Sequence, residues 1–194
     1  MAPAWANALA SGQRLAGPLT IDDLLDPQTL EAAPAAAPMV QPAPVQKVVR
    51  RLSLLNLHTD ERCSVVYREG GECVPDALVE VNRVLRDFRT GEIHPIDTGL
   101  LDLLADLSTQ MDATGPFHVI SGYRSPATNS MLNGKSSGVA TRSLHMQGKA
   151  IDIRLPGRRL ADVRDTALGM SRGGVGYYAS SDFVHVDVGR VRRW

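Results

Sequence analysis

The chain has 194 residues, of which 43% are hydrophobic and 22% are charged, and this composition is sufficient to bury the core of one domain. Its 21 basic and 21 acidic residues cancel, so no overall field draws the protein to nucleic acid or to an anionic membrane surface. No apolar run approaches the roughly 20 residues that cross a bilayer, which argues against stable membrane insertion.

The N-terminal quarter of the sequence differs in composition from the rest. Segment 31–45 is dominated by alanine and proline, which stiffen a chain without giving it a core. We therefore predict a disordered arm over residues 1–47 and a folded domain over residues 48–194. Residues 3–10 have the small side chains typical of the end of a secretory signal, without the charged and apolar parts that precede such an end. An exported protein with an incomplete signal and an accidental likeness both fit this segment.

Hydrophobic periodicity predicts the elements of the folded domain. Two strands, over 48–57 and 63–67, precede two amphipathic helices, from Pro75 to Gly91 and from Asp97 to Gly115. The later elements, in chain order, are a strand over 117–120, a strand over 150–155, a helix over 159–170 and strands over 174–178 and 183–188. Helices followed by strands predict an α+β domain, with helices packed on a mainly antiparallel sheet.

Two cysteines flank a predicted turn at 69–71. In an oxidising compartment Cys63 and Cys73 would close a small loop of the kind that stabilises a fold by about 2–3 kcal/mol. Two reduced thiols that act as small hydrophobic residues fit the sequence equally well.

Two of the predicted strands each carry one polar face. In 150–155 the aliphatic side chains alternate with polar ones, so Asp152 lies on the face opposite to them. In 183–188 alternating valines leave His185 on the polar face in the same way. If these strands are neighbours, the carboxylate and the imidazole converge.

A second imidazole is available from the segment before the first of these strands. A turn at Gly148 would fold His145 back beside Asp152 and His185. Two imidazoles and one carboxylate are a set that zinc accepts in catalytic sites, with a further position left for water. Spacing alone leaves a metal-free structural use of the same residues open.

Three motifs carry a resemblance to a known family. They are the segments SGYRS over 121–125, SLHMQGKAIDI over 143–153 and DFVHVD over 182–187. They closely resemble the YcbK-like murein endopeptidase K family. More distantly, they are similar to the D-alanyl-D-alanine carboxypeptidases and VanX-type dipeptidases, whose zinc fold is shared with hedgehog proteins. The resemblance covers about Val48 to Trp194 and implies this hedgehog/D-Ala-D-Ala peptidase-like fold.

The resemblance also implies roles for individual residues. In the family, the histidine and aspartate of an H-x6-D motif and a later histidine bind one zinc ion per chain, which corresponds here to His145, Asp152 and His185. The acidic residue three positions before the last histidine is the general base, which corresponds to Asp182. Arg124 matches the family arginine that holds the substrate or polarises the scissile carbonyl.

Two further residues of these motifs are candidates for supporting roles. Asp187 either orients a ligand histidine or is a strand-end carboxylate with its own partners. Ser143 is expected to orient the loop before His145. The remaining histidines have no partner at ligand spacing and are predicted to be structural: His58, His94 and His118.

The implied function is hydrolysis of amide bonds in peptidoglycan stem peptides or cross-links by an exported or periplasmic zinc metallopeptidase. One alternative is a D,D-carboxypeptidase or dipeptidase that uses the same zinc ion. Another is a non-catalytic, zinc-stabilised domain that binds the cell wall. The sequence leaves the oligomeric state open.

Overall fold

The computed structural model describes residues 48–135 and 140–194. The arm predicted over 1–47 and the signal-like segment within it lie outside these residues. The described residues form an α+β domain of four helices and one eight-stranded sheet. None of these helices combines the length and the apolar character that crossing a membrane requires.

The elements alternate along the chain. The strands are β1 (Val49–Asn56), β2 (Arg62–Glu69), β3 (Glu72–Cys73), β4 (Phe117–Ser121), β5 (Ala150–Arg154), β6 (Gly174–Tyr178), β7 (Phe183–Asp187) and β8 (Arg192–Arg193). The helices are α1 (Pro75–Val84), α2 (Thr98–Gln110), α3 (Pro126–Lys135) and α4 (Leu160–Met170).

The sheet is mixed, with the strand order β3-β2-β1-β4-β5-β7-β6-β8. Five of the strand pairings among the described residues are antiparallel, whereas β1 with β4 and β6 with β8 are parallel. The strands β5 and β7 are neighbours within the sheet. The two strands whose polar faces the sequence singled out are therefore hydrogen-bonded to each other.

The hydrophobic core lies on one face of this sheet. Alternate residues of the central strands, such as Ile151, Ile153 and Val184, are fully buried in one core cluster with residues of α1, α2 and α4. Burial of each such side chain contributes about 1.5–3 kcal/mol. Because strand side chains alternate between faces, the opposite face of β5 and β7 is left to polar residues.

The first helix is shorter than its apolar pattern predicts. It ends at Val84 rather than near Gly91, so the predicted end was wrong. The carbonyl of Leu85 accepts the backbone N–H of Tyr123 at 2.7 Å, which removes it from the helical hydrogen-bond pattern. Asp87 then organises the following turn, because its carboxylate accepts backbone N–H groups from two separate segments.

Several short elements were not predicted. Helix α3 lacks apolar periodicity, since its buried positions are the polar residues Thr128 and Asn129. The strands β3 and β8 have two residues each, which is too short for a periodic signal.

Both cysteines are free thiols in this structure. Cys73 pairs with Arg68 of β2, and Arg68 is five positions along the same strand from Cys63. At the rise of a β-strand this separates the two cysteines by about 16 Å. A disulfide needs Cα atoms within about 7 Å, so this register does not permit one. Burial raises the pKa of the Cys63 thiol to about 11.

Candidate metal centre

The register of β5 and β7 brings two of the predicted ligands together. Asp152 lies directly opposite His185 in the ladder, which confirms that the two strands are neighbours with converging polar faces. Both side chains point away from the hydrophobic core. They are nevertheless buried, with exposed fractions of 6% for Asp152 and 8% for His185.

A short 3-10 turn over Leu144–Gln147 carries His145, the third predicted ligand. Ser143 caps the start of the turn, because its Oγ accepts the backbone N–H of His145 at 3.3 Å. Gly148 ends the turn in the left-handed region with φ +64°, which returns the chain into β5. A Cβ at Gly148 would lie 2.2 Å from the carbonyl oxygen of Pro95, so both conformation and space require glycine.

The three side chains meet through one atom each. Nδ1 of His185 lies 2.8 Å from Oδ1 of Asp152 and 3.2 Å from Nε2 of His145. Nε2 of His145 lies 3.3 Å from the same carboxylate oxygen. All three residues present a potential ligand atom within 4.8 Å of the others.

The outer hydrogen bonds determine which ring nitrogens carry protons. Nδ1 of His145 lies 2.8 Å from the carbonyl oxygen of Gly122, which can only accept, so this nitrogen donates. Nε2 of His185 donates in the same way to Oδ2 of Asp187 at 3.1 Å. When both rings are neutral, two nitrogen lone pairs and a carboxylate oxygen face a common point. Such atoms repel one another unless a cation lies among them, so the donor set fits zinc.

Asp187 is the most completely bonded group around this cluster. It is fully buried and accepts the backbone N–H groups of Gly174 and Gly189 at 2.9 and 2.8 Å. Nη2 of Arg192 donates to it at 2.6 Å. Burial by itself raises the pKa of Asp187, but the hydrogen bonds from His185 and Arg192 outweigh burial and hold the pKa well below its usual range. The carboxylate therefore stays charged and accepts the hydrogen bond from Nε2 of His185.

The metal-free cluster attracts positive charge. Burial by itself raises the pKa of Asp152, but the adjacent His145 and His185 hold it well below its usual range. Burial lowers the pKa of His185, and its hydrogen bonds to Asp152 and Asp187 outweigh this and raise it. Both shifts favour a cation at the point where the three side chains meet.

Arg124 lies beside the carboxylate of this cluster. Its backbone N–H donates to the carbonyl of His145 at 3.2 Å, and its Nη2 lies 3.6 Å from Oδ2 of Asp152. The side chain is only 12% exposed, and its buried Nε has no hydrogen-bond partner among the described residues. Burial lowers the pKa of Arg124, against the raising effect of Asp152.

Asp182 lies in the turn before β7, outside the strand. Its φ of +55° is left-handed and β7 begins at Phe183, so strand alternation does not set the direction of its side chain. The carboxylate pairs with Arg154 and is 61% exposed. The structure thus gathers the three predicted ligands and Arg124, and leaves Asp182 at the adjacent turn. Its role as general base stays a prediction.

An open cleft of about 780 Å³ lies in front of the cluster. Trp194 forms part of its wall, where the indole Nε1 donates to the hydroxyl of Tyr178 at 2.7 Å and the ring lies 5.3 Å from that of His185. His58, which was predicted to be structural, stacks on Phe88 at 3.8 Å and also lines the cleft.

Sequence reasoning did not assign three arginines of this wall to the site: Arg89, Arg142 and Arg192. Arg192 and Trp194 belong to a C-terminal segment that the family resemblance already included. Arg89 and Arg142 carried no sequence signal, because surface arginines are common and have no fixed spacing.

Comparison with known proteins identifies the family. A model of the peptidoglycan L,D-endopeptidase MepK family matches residues 45–194. The chain belongs to this family. The peptidoglycan L,D-endopeptidase MepK of Escherichia coli (strain K12) is 41% identical over 161 residues, which cover 83% of this chain and 86% of the relative. The probable peptidoglycan L,D-endopeptidase MepK of Haemophilus influenzae is 39% identical over 146 residues, which cover 75% and 78%. The resemblance inferred from the motifs is therefore confirmed.

Proposed function

We propose that this protein is a zinc-dependent peptidoglycan endopeptidase that hydrolyses the L,D amide bond of stem-peptide cross-links. The observation that carries the proposal is the convergence of His145, Asp152 and His185 at an open cleft in a member of this family. Helices α1, α2 and α4 share the core on one face of a mixed sheet, and the cluster lies on the opposite face of β5 and β7, which supports the hedgehog/D-Ala-D-Ala peptidase-like zinc fold.

The ligand atoms are Nε2 of His145, Nδ1 of His185 and Oδ1 of Asp152, which would hold one zinc ion per chain. When bound, zinc supplies Lewis acidity, which favours ionisation of water and polarises an amide carbonyl. Asp187 and the carbonyl of Gly122 keep the two imidazoles in the tautomers that leave these nitrogens free.

The chain's own residues provide proton transfer and charge stabilisation. Asp182 takes the proton of the attacking water and passes it to the leaving amine, so the amide is hydrolysed without a covalent intermediate. This role requires the carboxylate to turn from Arg154 into the cleft, and its neighbours Ser181 and Phe183 already line that cleft. Arg124 stabilises the developing oxyanion or holds a substrate carboxylate.

The domain organisation and location follow from this function. We assign the catalytic domain to residues 48–194 and a spacer arm to residues 1–47. The protein acts in the periplasm or an equivalent exported compartment, where its substrate lies. A spacer of this composition would let the domain reach a wall substrate from its point of export.

Digestion of purified muropeptides tests the proposal. Zinc-loaded protein should convert cross-linked dimers into monomers, a chelator should stop the reaction, and added zinc should restore it. Asp182→Asn should lower kcat about 100-fold or more, as loss of a general base does. Asp60→Asn is the matched control, because Asp60 is also exposed and left-handed, with φ +57°.

The products distinguish the rival functions. Shortened stems with intact cross-links would indicate a D,D-carboxypeptidase or dipeptidase. Binding to intact wall material without hydrolysis would indicate a non-catalytic wall-binding domain. Cross-linked dimers left intact by the zinc-loaded protein would refute the endopeptidase proposal.

A further inference from the structure

The cleft in front of the three predicted zinc ligands is basic, although the chain has no net charge. Among the described residues that line it, Asp152 is the only carboxylate, and the two histidines and Arg124 surround that group. The lining includes four arginines, which are Arg89, Arg124, Arg142 and Arg192. The cleft lining thus carries an excess of positive charge where a substrate would bind.

Two of these four arginines have acidic partners within the domain. Arg192 donates to Asp187 through both terminal nitrogens, at 3.1 and 2.6 Å. Arg124 lies 3.6 Å from Asp152. Their charges are therefore balanced locally, by Asp187 and Asp152 respectively.

The other two arginines have no acidic partner in the part of the chain that the structure describes. Within residues 48–135 and 140–194, neither the guanidinium of Arg89 nor that of Arg142 makes an ion pair, and both residues are exposed. The guanidinium of Arg89 lies over the ring of Phe88 at 4.2 Å from its centroid, which orients it without neutralising it. Its charge also contributes to lowering the pKa of Arg124, after burial and against the raising effect of Asp152.

Hydrogen bonds hold the backbone that carries each of these two arginines. Oδ1 of Asp87 accepts the N–H of Arg89 at 2.9 Å, and Oδ2 accepts the N–H of Ser125 at 2.8 Å, next to Arg124.

The backbone before Arg142 is held in a similar way. Nδ2 of Asn129 donates to the carbonyls of residues 140 and 141 at 3.1 and 3.4 Å. The next residue is Arg142, followed by the serine that caps the turn of the ligand histidine. Both arginines therefore belong to segments whose backbone is fixed by hydrogen bonds close to the site.

We propose that Arg89 and Arg142 form a carboxylate subsite that selects substrates with a free carboxylate beside the scissile amide. The inference rests on the proposed endopeptidase function. An L,D amide joins the carbonyl of an L centre to the nitrogen of a D centre. That D centre carries its own carboxyl group on the carbon bonded to the scissile nitrogen. The forked guanidinium donors match this group in charge and shape.

Binding of two matched ligands tests this subsite. The ligands are cross-linked stem peptides made uncleavable by a ketomethylene group, one with the D-centre carboxylate and one with a carboxamide there. The zinc-loaded full-length protein should bind the carboxylate form roughly tenfold more tightly, as expected for a charge-assisted hydrogen bond. Arg89→Gln and Arg142→Gln should each reduce this ratio, and the double variant should bring it near one.

The control is Arg62→Gln, because Arg62 is exposed on β2 and does not line the cleft. It should keep the wild-type ratio. Equal zinc content and melting temperature would show that every variant is folded. A wild-type ratio near one, or an unchanged ratio in the double variant, would overturn the carboxylate subsite.

Hydrolysis of the corresponding cleavable pair separates the two proposals. Failure to cleave either substrate would refute the endopeptidase function and leave the binding ratio to decide the subsite. Equal cleavage and equal binding of both forms would overturn the subsite alone.

Discussion

His185 uses its two ring nitrogens for different purposes. Nδ1 faces the metal position beside Asp152, whereas Nε2 donates to the buried carboxylate of Asp187. Because a carboxylate only accepts, this outer hydrogen bond determines the tautomer of the neutral ring and leaves the lone pair of Nδ1 free to bind a cation. Asp187 can hold this position because backbone N–H groups and Arg192 satisfy the rest of its hydrogen-bonding capacity.

Removal of this charge should weaken zinc binding without touching a ligand. In Asp187→Asn the side chain keeps its size but has one oxygen fewer to accept from its several donors. We expect zinc affinity to fall about 10- to 100-fold, measured by competition with a chromophoric chelator. Asp165→Asn, which removes an exposed carboxylate paired with Arg164, should leave the affinity unchanged. Equal affinities for the two variants would show that Asp187 does not orient the ligand.

At the scale of elements, the site is assembled where a short turn meets a central strand. The strand β5 supplies Asp152 and is held on both sides, by β4 and by β7. His145 reaches it only because the chain reverses at Gly148, whose carbonyl also accepts the N–H of Asp97 at 3.0 Å. The geometry of the turn and the position of the ligand are therefore coupled.

Substitution of Gly148 should therefore affect both stability and zinc binding. An alanine there meets an unfavourable left-handed φ and a backbone oxygen 2.2 Å away. Gly157→Ala is a matched control, because Gly157 also has positive φ, +77°, but a Cβ added there would have nothing within 4 Å. We expect a loss of about 1 kcal/mol in unfolding free energy for Gly157→Ala.

Gly148→Ala should lose more stability than this control and should also bind zinc less tightly. Chemical denaturation and chelator competition measure the two effects. Equal losses of stability and unchanged zinc affinity would mean that the turn does not position His145.

At the scale of the whole molecule, proton and zinc binding are linked to folding through the same cluster. In the metal-free protein the pKa of His185 is raised, because its bonds to Asp152 and Asp187 outweigh burial. Its protonation thus stabilises the fold fully below the unfolded pKa of about 6.5, and this contribution is lost as pH rises through the folded pKa. Zinc, by contrast, binds the neutral imidazole.

Both effects predict that stabilisation by zinc increases with pH. The difference in melting temperature between zinc-loaded and chelator-treated protein should grow from about pH 6 to about pH 8. His145→Ala should largely remove the difference, whereas His94→Ala, outside the cluster, should retain it. A difference that is constant with pH would contradict the linkage.

Much of the site was accessible from local patterns. Alternation of aliphatic and polar residues places Asp152 and His185 on polar strand faces, because the period of two is a property of the backbone itself. The motifs then added His145 and Arg124 through resemblance. The α+β class and most of the longer elements followed from periodicity for the same reason.

Contacts between segments that are distant in the sequence decided the features that local patterns did not predict. The end of α1 depends on a hydrogen bond between Leu85 and Tyr123. The apolar periodicity of the helix does not predict this contact. The tautomers of the ligand histidines depend in the same way on Gly122 and Asp187. Arg89 and Arg142 are far apart in the chain and meet at one cleft only after folding. The sequence by itself determined which residues are predicted to bind a metal, because strand alternation and short motifs are local. Tertiary structure alone decided which charges surround that metal site, because their proximity arises from packing.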